Sequence, residues 1–129
     1  MTNQLFINNE FIESQSNETM DVINPATGEK FDTITFATKE EVNNAIEKSK
    51  HAQREWERVP QPTRAEHVKL LIPLLEQNRD EIAQLYVKEQ GKTLAEAYGE
   101  IDKSIAFIDY MTSLSMSNKG EVLQNLSLI

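Results

Sequence analysis

The amino-acid sequence predicts an α+β domain: two short antiparallel strand pairs over about 5–37, followed by four α-helices over about 39–115. Three observations predict it. Short β-rich runs in the first third are separated by the turn signals Asn8-Asn9 and Pro25-Ala26-Thr27-Gly28. From residue 39 onward apolar residues recur three and four apart, the period of a helix with one buried face. The helical stretches are punctuated by Ser/Thr-x-x-Glu boxes, by prolines and by Gly91, which are start and stop signals.

The elements follow in order. Leu5-Phe6-Ile7 and Glu10-Phe11-Ile12 flank Asn8-Asn9, and because asparagine tolerates positive φ the group reads as a hairpin with a two-residue turn. A polar stretch leads to Asp21-Val22-Ile23-Asn24, the Pro25–Gly28 turn and an extended run from Phe31 to Ala37, a second pair. Thr38 and Glu41 form a capping box, and Val42, Ala45, Ile46, Ala52 and Trp56 mark a helix over about 39–57 whose apolar stripe needs a partner. Thr63 and Glu66 form a second box opening a helix lined by Ala65, Val68, Leu71, Ile72 and Leu75. Pro73 lies inside it, so a kink is expected near Lys69–Pro73. Asn78 with Glu81 opens the third helix, and Gly91, free to take a left-handed conformation, stops it. Thr93 with Glu96 then opens the fourth, which carries Ala97, Ile101, Ile105 and Ile108 to about Ser115. Residues 121–123 read as the start of a strand with no partner after it, and an unpaired edge suggests truncation of a longer domain.

Composition narrows the function classes. The net charge is -8, with 13 basic residues interleaved among 21 acids, which argues against a surface that tracks nucleic acid. No apolar run approaches the roughly 20 residues of a spanning helix, and no charged-then-apolar leader opens the chain, so no membrane partner and a cytoplasmic location are expected. There are 0 cysteines, which excludes disulfides, zinc–thiolate sites and a thiol nucleophile within these residues.

No catalytic or cofactor-binding set emerges from spacing. Gly91-Lys92-Thr93 looks like the end of a phosphate loop, but Tyr86 stands where the motif needs its first glycine, and a helix rather than a strand precedes it. Gly91 and Gly99 do not fit G-x-G-x-x-G. His51 and His67 fall on different helices without ligand-spaced partners, and Ser49 and Ser104 have no histidine and aspartate to activate them. Glu40, Glu41, Glu66, Asp80, Glu81 and Glu96 sit in first helical turns, where free amides and the helix dipole favour acids.

The order of the pieces resembles the N-terminal segment of the aldehyde dehydrogenase superfamily. Leu5–Phe11 is similar to that family's opening hairpin, Val22-Ile23-Asn24-Pro25-Ala26-Thr27-Gly28-Glu29 to its INPATGE turn, and Ala52–Trp56 to the end of its first helix. Arg64–Leu75 resembles its second helix, and Glu89-Gln90-Gly91-Lys92-Thr93 with Glu96-Ala97 and Glu100-Ile101 its E-x-G-K-P…EA…EI segment. Tyr110, Met111 and Gly120-Glu121-Val122 resemble the next helix and the entry to the oligomerisation strands, most like the lactaldehyde-type members. Thr93 replaces a common proline, Leu114 a frequent tryptophan, Pro73 interrupts a usually unbroken helix, and Asn125–Ile129 departs from the family pattern.

The resemblance implies the N-terminal portion of the family's α/β fold and, for a whole enzyme, oxidation of an aldehyde to a carboxylic acid with NAD or NADP. It places the cysteine nucleophile, glutamate base, oxyanion asparagine and cofactor-binding segments beyond Ile129, so this chain alone is expected to be inactive and to bind no NAD or NADP unless the remainder of the enzyme joins it. It also implies a Na⁺ or K⁺ site at the carbonyls of Val22 and Ile23 and the carboxylate of Glu89, and a place for Phe107 and Tyr110 along the substrate tunnel. The ordinary alternatives are a solvated acid at a helix end and two core aromatics. The alternative function is a small non-catalytic interaction module built on the same residues.

Overall fold

The computed structural model describes residues 4–117 and Gly120. The hairpin forms as expected, with β1 (Leu5–Ile7) antiparallel to β2 (Glu10–Ile12) and Phe6 opposite Phe11. Asn8 and Asn9 both take positive φ, 55° and 65°, the geometry a tight two-residue turn demands. The second pair, β3 (Thr19–Ile23) and β4 (Lys30–Thr35), runs from Thr19 opposite Thr35 to Ile23 opposite Lys30, with an irregularity between Val22 and Ile23. Its turn is closed by Asn24, whose carbonyl accepts from the Gly28 amide at 2.7 Å and whose side-chain oxygen accepts from the Ala26 amide at 2.9 Å.

The first helix, α1 (Lys39–Trp56), starts at the expected box: the Glu41 amide donates to Thr38 Oγ1 and the Thr38 amide to Glu41 Oε2. Glu41 also accepts from the Gln15 amide and the Ser14 hydroxyl, both at 2.8 Å, which ties the loop after β2 to the head of α1. These donors, the Gln15 amide foremost, hold its carboxyl below the usual glutamate range.

The second helix carries the kink expected of Pro73. It runs as α2 (Gln61–Lys69) and α3 (Leu71–Gln77), jointed at Leu70. Pro73 has no amide to return to the Lys69 carbonyl, so the ladder breaks one residue beyond it. The Thr63–Glu66 capping box does not form. Pro60 occupies the N-cap without a side-chain bond, and Pro62, with its φ already helical, lets the helix begin ahead of Thr63. Asn78 precedes α4 (Arg79–Gln90) in the N-cap position, yet its side chain gives no cap and instead donates to the Leu74 carbonyl, closing α3. The last helix, α5 (Leu94–Ser113), passes into a 3₁₀ turn over Leu114–Ser117. The strand expected at 121–123 lies outside the described residues.

The core sits where α4 crosses α5. Ala83, Ala97 and Ile101 are its fully buried apolar residues, with Ile82, Tyr86, Val87, Tyr98 and Ile105 packed around them. The small alanines let the two helices approach closely. The stripe on α1 stays half-open, since Val42, Ile46 and Trp56 all remain exposed. The chain presents 10588 Å² of surface at 14.8 kDa, whereas a compact monomer of that mass presents about 7,000 Å². Phe6, Phe11, Leu70, Leu74 and Phe107 are exposed as well, so much apolar surface has no cover among the described residues.

Candidate functional site

The best-defined constellation is the corner between α4 and α5. Gly91 ends α4 at φ 66°, its amide donating to the Val87 carbonyl at 3.0 Å. Two residues on, Thr93 restarts the helix: its hydroxyl accepts from the Glu96 amide at 3.3 Å, and its amide donates to Glu96 Oε2 at 2.9 Å. The Thr93 donors hold the Glu96 carboxyl below its ordinary range. Lys92 reaches over the Tyr86 ring, 5.4 Å from its centroid, and toward Glu100 at 3.9 Å. Gly91 also lies against the β3–β4 turn, so close that a Cβ there would come within 2.9 Å of Pro25 Cγ.

That contact brings the end of β3, with Val22 and Ile23, beside α4. Glu89 is exposed on the last turn of α4 and makes no hydrogen bond or ion pair with the described residues. Phe107 and Tyr110 lie one helical turn apart on α5 and are 60% and 59% exposed, so neither is a core aromatic. Phe107 lines a shallow groove of about 350 Å³ formed with Glu100, Lys103, Ser104 and Ile108, all of α5, so no tunnel is walled by the described residues.

A second cluster, which helix spacing alone does not reveal, pins the start of α4 to α5. Arg79 donates from Nε and Nη2 to the two carboxylate oxygens of Asp102 at 2.9 and 2.8 Å, and its guanidinium lies 4.2 Å from the Tyr98 ring centroid. The Tyr98 hydroxyl donates to Asp80 Oδ1 at 3.1 Å, and loss of that bond on ionisation pushes the phenol up. The Arg79 fork holds the Asp102 carboxyl down. Tyr98 and Asp102 stand four apart on one face, which is the sole hint in the sequence; their partners on α4 are set by the helix crossing.

The remaining candidates behave as structural residues. His51 is exposed, and His67 places Nδ1 2.8 Å from the Thr63 carbonyl with its ring edge-on to Trp56. Ser104 donates to the Glu100 carbonyl of its own helix, so its oxygen is not activated. Among the described residues no group of three or more histidine, aspartate or glutamate side chains could hold a metal ion, and no helix is long and apolar enough to cross a membrane. The arrangement of the described residues can therefore join elements but supplies no nucleophile and base.

Comparison with known proteins extends this picture over nearly the whole chain. Residues 11–128 match the aldehyde dehydrogenase family model. A malonate-semialdehyde dehydrogenase of Bacillus cereus (strain B4264) is 36% identical over 121 residues, which cover 94% of this chain and 25% of that protein. The crystal structure of lactaldehyde dehydrogenase from Escherichia coli superposes with a TM-score of 0.87 at 28% identity, covering 98% of this chain and 26% of that one. That of an NAD-dependent benzaldehyde dehydrogenase from Corynebacterium glutamicum gives 0.85 at 26% identity, covering 97% and 28%. The chain thus spans about a quarter of the length of the relatives it matches. With the expected hairpin, INPATGE turn and Gly91 corner in place and residues 11–128 matching its model, the chain belongs to the aldehyde dehydrogenase family.

Proposed function

We propose that these residues form the N-terminal segment of an NAD(P)-dependent aldehyde dehydrogenase, that their role in it is structural, and that the chain by itself oxidises no aldehyde. One observation carries this reading: the chain exposes 10588 Å², while among the described residues only Ala83, Ala97 and Ile101 form a fully buried apolar core. Such a surface suits a segment covered by the rest of a larger domain. The chemistry agrees, because thiolate attack on an aldehyde needs a cysteine and these residues include 0.

The reading has two tests. The purified chain, mixed with NAD⁺ or NADP⁺ and with malonate semialdehyde, lactaldehyde or benzaldehyde, should form no reduced nicotinamide, and its formation would refute inactivity. Exchanged for the matching quarter of the Bacillus cereus malonate-semialdehyde dehydrogenase, the segment should give an active chimera. A folded but inactive chimera would count against the proposed role. A cooperative melt with monomeric elution of the isolated chain would instead favour a free-standing interaction module.

Two finer assignments belong with this proposal. The carbonyls of Val22 and Ile23 and the carboxylate of Glu89 are assigned to a Na⁺ or K⁺ ion; support comes from the contact of Gly91 with the Pro25 turn, which draws those elements together, and from the unspent charge on Glu89. Phe107 and Tyr110 are assigned to the side of α5 that meets the aldehyde path, supported by their shared exposed face. A cytoplasmic location accompanies the proposed enzyme.

A further inference from the structure

The strongest unspent chemistry in the molecule is at Arg64, in the first turn of α2. Its Nε is buried and has no hydrogen-bond partner, and none of its other guanidinium nitrogens forms an ion pair or hydrogen bond with the described residues. Other arginines are settled: Arg79 grips Asp102, Arg58 meets Glu55, and Arg54 is solvated on α1. Arg64 lines a groove of about 360 Å³ between α2 and α5, whose walls include Trp56, Ala65, Val68, Met111 and Thr112. The Thr112 hydroxyl donates to the Ile108 and Asp109 carbonyls, and no hydrogen bond joins its oxygen to Arg64 Nε.

A guanidinium carries five donors in a plane and keeps its charge at any pH a protein survives. Held in a half-buried apolar groove, it is unfavourable until an acceptor of opposite charge arrives. This chain has 21 acids and a net charge of -8, yet none among the described residues is placed to serve Arg64. The excess of exposed surface calls for a cover of several thousand Å², the size class of permanent interfaces. We propose that the Trp56–Arg64–Met111 groove docks an acidic side chain, Asp or Glu, of the polypeptide that completes the domain. Its carboxylate takes the paired N–H donors of Arg64, and its apolar neighbour fills the space beside Val68 and Met111. This rests on the reading that such a polypeptide exists.

The experiment compares Arg64→Met and Arg64→Lys in two settings, the chimera described above and the isolated 129-residue chain. In the active chimera Arg64→Met should lower the melting midpoint by several degrees, because it strands a carboxylate, and Arg64→Lys should restore only part of the loss, since an ammonium lacks the planar fork. In the isolated chain the same Arg64→Met should be neutral or stabilising, because an unpaired charge has been removed. The same loss in both settings, or no loss in the chimera, overturns the inference while leaving the proposed function intact. An inactive parent chimera strikes the proposed function, and the groove is then decided on the isolated chain. Trp56, the 1 tryptophan present, reports on it directly. Propionate, but not propionamide, should change its fluorescence, and Arg64→Met should abolish the response; an equal response to both probes, or none, overturns the assignment.

Discussion

Replacing Gly91 by alanine probes the corner on which the two halves of the fold meet. Two costs add. A non-glycine residue at φ 66° pays roughly 1–2 kcal/mol for a left-handed backbone, and the new Cβ would stand 2.9 Å from Pro25 Cγ, so the β3–β4 turn must move. Overpacking of that kind costs about 1–3 kcal/mol, giving a total of about 2–5 kcal/mol. Gly28→Ala is the internal control. Gly28 has φ 74°, but a Cβ added there would meet nothing within 4 Å, so it should lose only the backbone share, roughly 1–2 kcal/mol. Urea titration of the three sequences carried in the chimera, followed by circular dichroism, measures the difference. Pro25→Ala in the Gly91→Ala background should recover part of the excess, since it removes the struck atom. Equal losses at Gly28 and Gly91, or no coupling to Pro25, would refute the claim that this glycine is a tertiary contact as well as a helix stop.

The helix starts make a second test. Thr38→Ala and Thr93→Ala, which remove observed caps, should each cost about 1 kcal/mol, whereas Thr63→Ala, whose box does not form, should stay within about 0.5 kcal/mol by the same urea assay. Acid sensitivity follows from Glu41, whose folded carboxyl titrates below the ordinary 4.5. Its contribution is complete above that value and is lost as pH falls through the lower folded value, so Glu41→Gln should flatten the acid limb of stability against pH. Exchange of Na⁺ or K⁺ for a bulky organic cation should lower the melting midpoint of the chimera through the site assigned to Val22, Ile23 and Glu89, and an unchanged midpoint would remove that assignment.

Local chemistry made much of the fold legible. Asn8-Asn9 and Gly91 were readable because few residues accept positive φ, and the boxes at Thr38 and Thr93 because a hydroxyl and a carboxylate three apart satisfy each other's amides whatever surrounds them. The Thr63 box failed for an equally local reason that competes with it, the preformed φ of Pro62 in the first turn. Asn78 was harder, since one side chain stands between two helix ends and only the packing of α3 decides that it donates backward to Leu74. Of the candidate site, the missing thiol was visible in composition, while Val22, Ile23, Glu89, Phe107 and Tyr110 entered only through family resemblance.

What the sequence by itself determined were most of the elements and their ancestry, because those depend on backbone freedom, helical period and short-range hydrogen bonds. Tertiary structure alone decided three things: that Gly91 seats Pro25, that Arg79 and Asp80 find Asp102 and Tyr98, and that Arg64 finds no partner among the described residues. Each depends on where two distant elements cross, and a distance between residues far apart in the chain is written in no local pattern.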